Sequence, residues 1–404
     1  MANSLLTINM ITREAIRLWR NSNAFLQNVD RQYDSDFGKS GAKIGSSLRI
    51  RLPNDFIVRT GQVAVPQDTT EVNTTLTVAT QKGVDVQFSS AERMLSLDDY
   101  SKRILAPAIN NLAGAVAADI ISGSENIPNL VAKFDGSGNV ISPDASTWLT
   151  AGATLDQFSA PRGDRKVVLD PLSQARTVGS LAGLFNPSAG LSKQYSSGLM
   201  QQALGFDWMQ DQTVIKHTTA QYGALATVNG ALQSGGAITV SPLAGPLNYG
   251  DIISFAGVNS VNRITKLDNG TLMQFTVTAN VAMGATVIPI YPNLVAPTGG
   301  PLQIVYQTVT TLPATGAAIT VATKPGQVYR KNFVFLPQAA TFVTADLELP
   351  RGVHEAARET LDQTSMRMVT AYNISTDQFI TRLDILYGFK WVRPEWACVV
   401  ADQI

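Results

Sequence analysis

Two histidines, His217 and His354, are the chain's whole supply of imidazole, and they limit the chemistry open to it. His354-Glu355 is not followed by a second histidine four residues on, so the helical zinc-protease pattern, which needs two imidazoles on one face, fails. A serine triad would need one of the same two rings, yet no Gly-x-Ser-x-Gly elbow follows a buried-strand pattern. Both histidines read as ordinary surface or loop residues. Glycine-rich stretches at Asp135 to Gly138 and Thr298 to Gly300 match neither phosphate-cradling loop and read as turns. Asp98 and Asp99 are neighbours, which do not face each other on a helix, and stabilisation of a helix's positive end explains them better than acid/base work. No catalytic, cofactor-binding or metal-binding set is expected.

What remains is charge that could meet a partner. Arg13, Arg17 and Arg20 fall on one face of an amphipathic pattern whose other face carries Leu5, Ile8, Ile11, Ala15 and Leu18. They suit an acidic assembly partner or DNA, or simply a solvated helix face. Arg49, Arg51 and Arg59 lie on a segment of period-two alternation, where they would hold acidic groups of a neighbouring subunit or keep an exposed edge soluble. These six are the candidate inter-subunit contacts.

Composition supports a partner-rich surface with little charge. Only 15% of the 404 residues are charged, against a typical value of about 25%. Neutral polar surface is inexpensive to bury against copies of the same chain, because stranded charges are the costly part of an interface. The 31 basic residues balance 31 acidic ones, so no net field attracts a polyanion or an anionic membrane. The balance disfavours a dedicated nucleic-acid binder but suits a container, since each fixed cation on a phosphate adds affinity for the contents. The single cysteine, Cys398, forms no intrachain disulfide and fits a reducing cytosol. Met1 to Arg20 lacks a signal-peptide pattern and no run of 18 apolar residues occurs, so neither secretion nor a membrane span is expected.

The elements that position these residues can be read in order. After the N-terminal helix, Asn21 to Lys39 is polar and suits an extended arm. Gly41 to Phe88 alternates at Leu48, Ile50, Leu52 and again at Leu76, Val78, Val84, Val86 and Phe88, as a long hairpin that needs support from another subunit or from the body of this one. Leu97 to Ser122 predicts a helix capped by Ser96, kinked by Pro107 and striped by Leu105, Ile109, Leu112, Val116 and Ile120. A helix over Asp144 to Phe158, a buried strand Lys166 to Leu169 and a helix opened by Asp170-Pro171 follow. Among residues 218 to 323 only Asp251, Arg263, Lys266 and Asp268 are charged, and short Val/Ile/Thr/Phe runs separated by turns predict an all-β region. Three runs beginning Gly236-Ala237, Gly284-Ala285 and Gly316-Ala317 read as strand openings there. Strands near Phe333 and Phe342, a short helix near Val353 to Leu361, and a long antiparallel pair through Met366 to Tyr372 and Leu383 to Trp391 complete an α+β host with a β insertion.

The string from Gly250-Asp251-Ile252-Ile253-Ser254-Phe255-Ala256-Gly257-Val258 through Val261-Asn262 and Thr265-Lys266 to Gln274-Phe275-Thr276-Val277-Thr278 resembles the inserted β-barrel of phage coat proteins of the P22 type. Leu386-Tyr387-Gly388-Phe389-Lys390 and Val392-Arg393-Pro394-Glu395 resemble that family's terminus, and Tyr100 to Ala118 and Gly205-Phe206-Asp207 fit in the same order. The resemblance implies the Hong Kong 97-type capsid fold: an N-terminal arm (1–40), an extended β-hairpin loop (41–88), a peripheral domain with a spine helix (89–145), an axial domain (146–217), an all-β insertion domain (218–326) and return strands (327–404). It further implies a non-enzymatic major capsid protein of a tailed phage. Its copies would form pentamers and hexamers of an icosahedral procapsid, with a scaffolding protein and a portal, around double-stranded DNA. Assembly would take place in the host bacterial cytoplasm, without membrane or cofactor and without covalent crosslinks. Rival readings are a tail or decoration component, or a carbohydrate-binding β protein with Trp391 and Trp396 as a sugar platform.

Overall fold

The computed structural model describes residues 8–33, 46–51, 56, 61–63, 73–89, 101–181, 202–297, 306–374 and 378–404. The chain divides into two units, one of Met1–Arg51, Asn73–Ile121 and Ala340–Val392, the other of Leu52–Val72, Ser122–Ala339 and Arg393–Ile404. Ser96, Asp98, Asp99 and Arg59 lie outside the described residues.

In the first unit, the expected N-terminal helix spans Ile8–Ser22 and buries Ala15, Ile16 and Trp19. The polar stretch after it is not a free extended arm as far as it is described. Asn23 caps a short helix Ala24–Asn28, and Asp30–Tyr33 pairs in parallel with Ala340–Ala345 of the same chain. The reason is apolar: Phe25, Leu26 and Val29 are buried, a load that a polar average over the segment conceals.

The six-stranded sheet of this unit is organised by the long strand Gln378–Trp391. Along one side it pairs with Ala340–Ala345 and with Thr364–Asn373, which in turn pairs with Glu355–Leu361. Glu355–Leu361 corrects the expected helix over 353–361. Its charged residues mimic a solvated helix face, but they belong to an outer strand that buries Ala357 and turns back through Asp362 and Gln363, both at positive φ.

The hairpin expected over 41–88 is also corrected. Ser46–Arg51 pairs with Asn73–Val78, but Thr80–Ser89 leaves that ribbon and pairs along its whole length with Gln378–Trp391, Ser89 opposite Gln378 and Thr80 opposite Tyr387. The root of the ribbon buries Leu76 and Val78 against Val343, Ala345 and Leu386. It crosses the long strand at Gly388, where a Cβ would stand 2.4 Å from the Thr77 carbonyl oxygen. Lys390 Nζ then donates to Thr74 Oγ1 at 2.6 Å. Glycine in the Tyr-Gly-Phe motif is thus a requirement of close approach.

The spine helix is α-helical over Ala106–Ser122, preceded by a π-helical turn Ser101–Leu105. Pro107 therefore sits in the first α turn, where its missing N–H costs least, and the turn before it is widened in place of an internal kink. By length and composition the helical run Ser101–Asn126 could cross a membrane. Its stripe of Ile109, Leu112, Val116 and Ile120 is instead buried. Trp391 Nε1 donates to the Ile120 carbonyl at 2.9 Å, and Asp119 takes Lys82 at 2.7 Å and the Tyr387 hydroxyl.

The second unit holds a seven-stranded sheet ordered Leu130–Val131, Ala397–Asp402, Val328–Phe335, Lys166–Leu169, Phe206–Gln210, Gln202–Ala203, with Lys216–Thr218 also on Val328–Phe335. Helix Ala145–Gln157 begins in a capping box of Asp144 and Thr147 and buries Trp148, Ala151 and Leu155 beside Val167, Val334, Cys398 and Val400. Pro171 opens helix Pro171–Leu181. The charge-poor region forms a separate five-stranded sheet ordered Gly235–Thr239, Val287–Leu294, Asp268–Val277, Ile252–Val261, Ile319–Val321. Its core includes Ile253, Phe255, Phe275, Val277, Ile288 and Ile290. Of the three glycine-alanine runs, the first lies in a strand and the other two turn into one.

Candidate functional site: basic surfaces and the seat of the β insertion

The structure finds partners for the N-terminal arginines within the chain. Arg13 Nε lies 3.0 Å from Glu359 Oε1 and Arg20 Nε 2.9 Å from Asp362 Oδ2, so both grip the hairpin that replaces the expected helix. Arg17 donates twice to Glu14, at 2.8 and 2.6 Å, and Glu14 also accepts from Ser101 Oγ. The hydrogen bond from Arg17 holds the Glu14 carboxyl below the usual carboxylate range. These pairs are largely solvated, so they orient the helix more than they stabilise it. Arg17, Arg20 and Arg31 together line a recess of about 380 Å³. Arg31 was not singled out by the sequence pattern. Arg49 is exposed on Ser46–Arg51 opposite Thr75, and Arg51 stands opposite Asn73.

His217 is not the surface residue its sequence context suggests. It lies on Lys216–Thr218, only 4% of its side chain exposed, with both ring nitrogens toward carboxylates: Nε2 is 2.9 Å from Asp251 Oδ1 and Nδ1 3.2 Å from Glu125 Oε2. Lys331, on Val328–Phe335 and 1% exposed, completes the cluster at 2.6 Å from Glu125 Oε2. Burial pushes the Glu125 carboxyl up, but the charge of Lys331 and the hydrogen bond to His217 outweigh it and hold the group at about 2. Gly250 must be glycine here, since it has φ +90° and a Cβ would fall 1.9 Å from Glu125 Oε2. His354 is exposed, its ring 5.3 Å from that of Phe379.

The cluster is one of several joints that seat the β insertion on the seven-stranded sheet. The Gln274 amide both accepts from Leu130 N–H at 2.7 Å and donates to Leu130 C=O at 3.0 Å, closing an outer strand as another peptide would. Thr276 Oγ1 donates to the Glu125 carbonyl at 2.8 Å. Tyr291 OH donates to Glu395 Oε2 at 3.0 Å, and Arg263 stands 3.6 Å from Oε1 of the same carboxylate. Arg393 stacks on the Trp396 ring at 4.2 Å. The Arg-Pro-Glu motif is thereby a socket for the insertion. Trp391 is buried and Trp396 packs against the helix core, so they form no exposed sugar platform. Among the described residues no group of three or more His, Cys, Asp or Glu is placed to hold a metal ion.

Residues 234–400, from the first strand of the insertion into the last strand of its host, match the family described as "P22 coat protein - gene protein 5". A solved CUS-3 coat protein I-domain is 31% identical over 26% of this chain and 93% of its own, with a TM-score of 0.18. A structure from Mycobacterium phage Che8 is 13% identical over 93% of this chain and 90% of its own, with a TM-score of 0.45. The capsid structure of the cyanophage P-SCSP1u is 9% identical over 100% and 91%, again at 0.45. A search of curated proteins finds no match. The family match falls on the stretch where a β insertion is seated on its host and the chain returns through the long strand, so residues 234–400 of this chain are similar to the P22 coat protein family.

Proposed function

We propose that copies of this chain associate as pentamers and hexamers into a closed icosahedral shell around a double-stranded DNA genome, with no reaction catalysed and no cofactor held. The observation that carries this is the coat-protein match over 234–400. Support comes from the charge-poor composition, which suits burial against sister copies, and from equal numbers of basic and acidic residues, which leave the wall without a net attraction for packaged DNA. In this reading 1–40 serves as arm, 41–88 as extended loop, 89–145 as peripheral domain, 146–217 with 327–404 as axial domain and return strands, and 218–326 as insertion domain. A scaffolding protein and a portal take part in assembly in the host cytoplasm, and the finished shell resides in the virion.

Of the six candidate contact residues, Arg49 is exposed on the ribbon, and we assign it, with Arg51 and Arg59, to acidic groups of a neighbouring copy. Arg13 and Arg20 would reach a neighbour only by sharing or leaving Glu359 and Asp362. Negative-stain microscopy of the full chain, expressed alone and with a candidate scaffold, should show capsomers or closed shells. Tubes, isolated trimers or an inert monomer under every condition would overturn the proposal.

A further inference from the structure

The charge cluster at the seat of the insertion has a property that hydrogen-bond counting alone exposes. A carboxylate offers only lone pairs, so a ring nitrogen facing one must bring its own hydrogen. His217 faces Asp251 through Nε2 and Glu125 through Nδ1, and both contacts are satisfied at once only by the doubly protonated ring. Charge balance agrees: Lys331 and a cationic His217 oppose Glu125 and Asp251, whereas a neutral ring leaves one negative charge in excess and sets a bare nitrogen against an oxygen in a site that is nearly closed to water.

The cluster also spans a boundary. Glu125 comes from the turn Gly123–Asn126, and His217 and Lys331 come from strands of the seven-stranded sheet. Asp251 comes from the insertion, at the entrance to Ile252–Val261, where its Oδ2 also accepts from Asn248 N–H at 2.8 Å and from Ala220 N–H at 3.3 Å. We propose that His217 is a proton-controlled latch: the charged ring holds the base of the β insertion on the sheet, and the neutral ring releases it. The remaining joints, Gln274 on Leu130, Thr276 on the Glu125 carbonyl, and Tyr291 and Arg263 on Glu395, do not involve His217 and act as a hinge that keeps the released insertion nearby.

Burial opposes charging of His217, but the hydrogen bonds to Asp251 and Glu125 and the charge of Glu125 outweigh it and raise its pKa above the ordinary imidazole value, with Lys331 pulling the other way. Burial, with the same carboxylates, also raises the phenols facing the cluster, Tyr329, Tyr249 and Tyr222, so these stay neutral. A raised folded-state pKa contributes stability that is complete below about 6.5 and is lost as pH rises through the folded value. The latch is therefore shut in mild acid and opens on the alkaline side.

The test uses the full chain and hydrogen exchange read by mass spectrometry. Exchange of the imidazole C2 hydrogen reports each histidine separately, since the sequence has two. The His217 peptide should titrate above pH 6.5; a midpoint at or below it overturns the proposal. Over the same transition, backbone protection in peptides covering 248–261 and 268–277 should fall at least tenfold after correction for intrinsic rates, while 364–373 and 378–391 hold. Unchanged protection, or loss in all four regions together, also overturns it. Asp251→Asn should lower the His217 midpoint, and an unchanged midpoint counts against the latch. His217→Gln should leave 248–261 poorly protected at every pH; should that variant not fold, the wild-type profile still decides.

Discussion

At the scale of single residues, Glu125 in the second unit faces Lys331 and His217 together. Its depressed carboxyl contributes stability that is fully present above the unfolded value of about 4.3 and is lost as pH falls toward about 2. Glu125→Gln leaves the ammonium of Lys331 buried without its anion. It should cost about 3–5 kcal/mol in urea unfolding at pH 7 and flatten the acid limb of the stability profile between those two values. An unchanged acid limb would assign the proton uptake elsewhere. Little of this was legible in the sequence. His217 sits 92 residues from Glu125 and 34 from Asp251, and no local pattern announces partners at such separations. The one available signal was Asp251 itself, one of four charges among residues 218–323, where an ionised group needs a specific reason to be present.

At the scale of elements, period and partner proved separable. The alternation at Val84, Val86 and Phe88 identified a strand, but nothing local says that it pairs with Leu383 and Thr381 and not with the ribbon at Ser46–Arg51. Glu355–Leu361 shows the reverse error: Glu355, Arg358 and Glu359 satisfy a helix face as well as an outer strand, and only Thr364–Asn373 settles the matter. By contrast Lys166–Leu169 and the helix after Asp144 were legible, because cap chemistry and a continuous apolar run are local. The insertion has a self-contained core, since among the described residues it draws only Phe158 from outside 218–326. A fragment of residues 218–326 should therefore fold by itself and give a dispersed proton spectrum. A collapsed spectrum would mean that the host sheet templates the insertion.

At the scale of the whole molecule, the low charge and balanced sign were readable from composition, and they fit a subunit that buries much of its surface against itself in many copies. The resemblance of the charge-poor insertion to that of P22-type coat proteins leads to the expectation of a shell held without new covalent bonds. Mature particles boiled in detergent should run as a single monomer band on a denaturing gel, and a ladder of higher species would contradict this. The chain order also sets a schedule. The insertion's sheet has its last strand once Val321 has been made, whereas Ala397–Asp402 must slide between Val328–Phe335 and Leu130–Val131 before the seven-stranded sheet can close. A ribosome that stalls between those two points would release a product with a finished insertion sheet and a gap between Leu130–Val131 and Val328–Phe335 of its host, visible to proteases as unfinished and unfit to join its siblings.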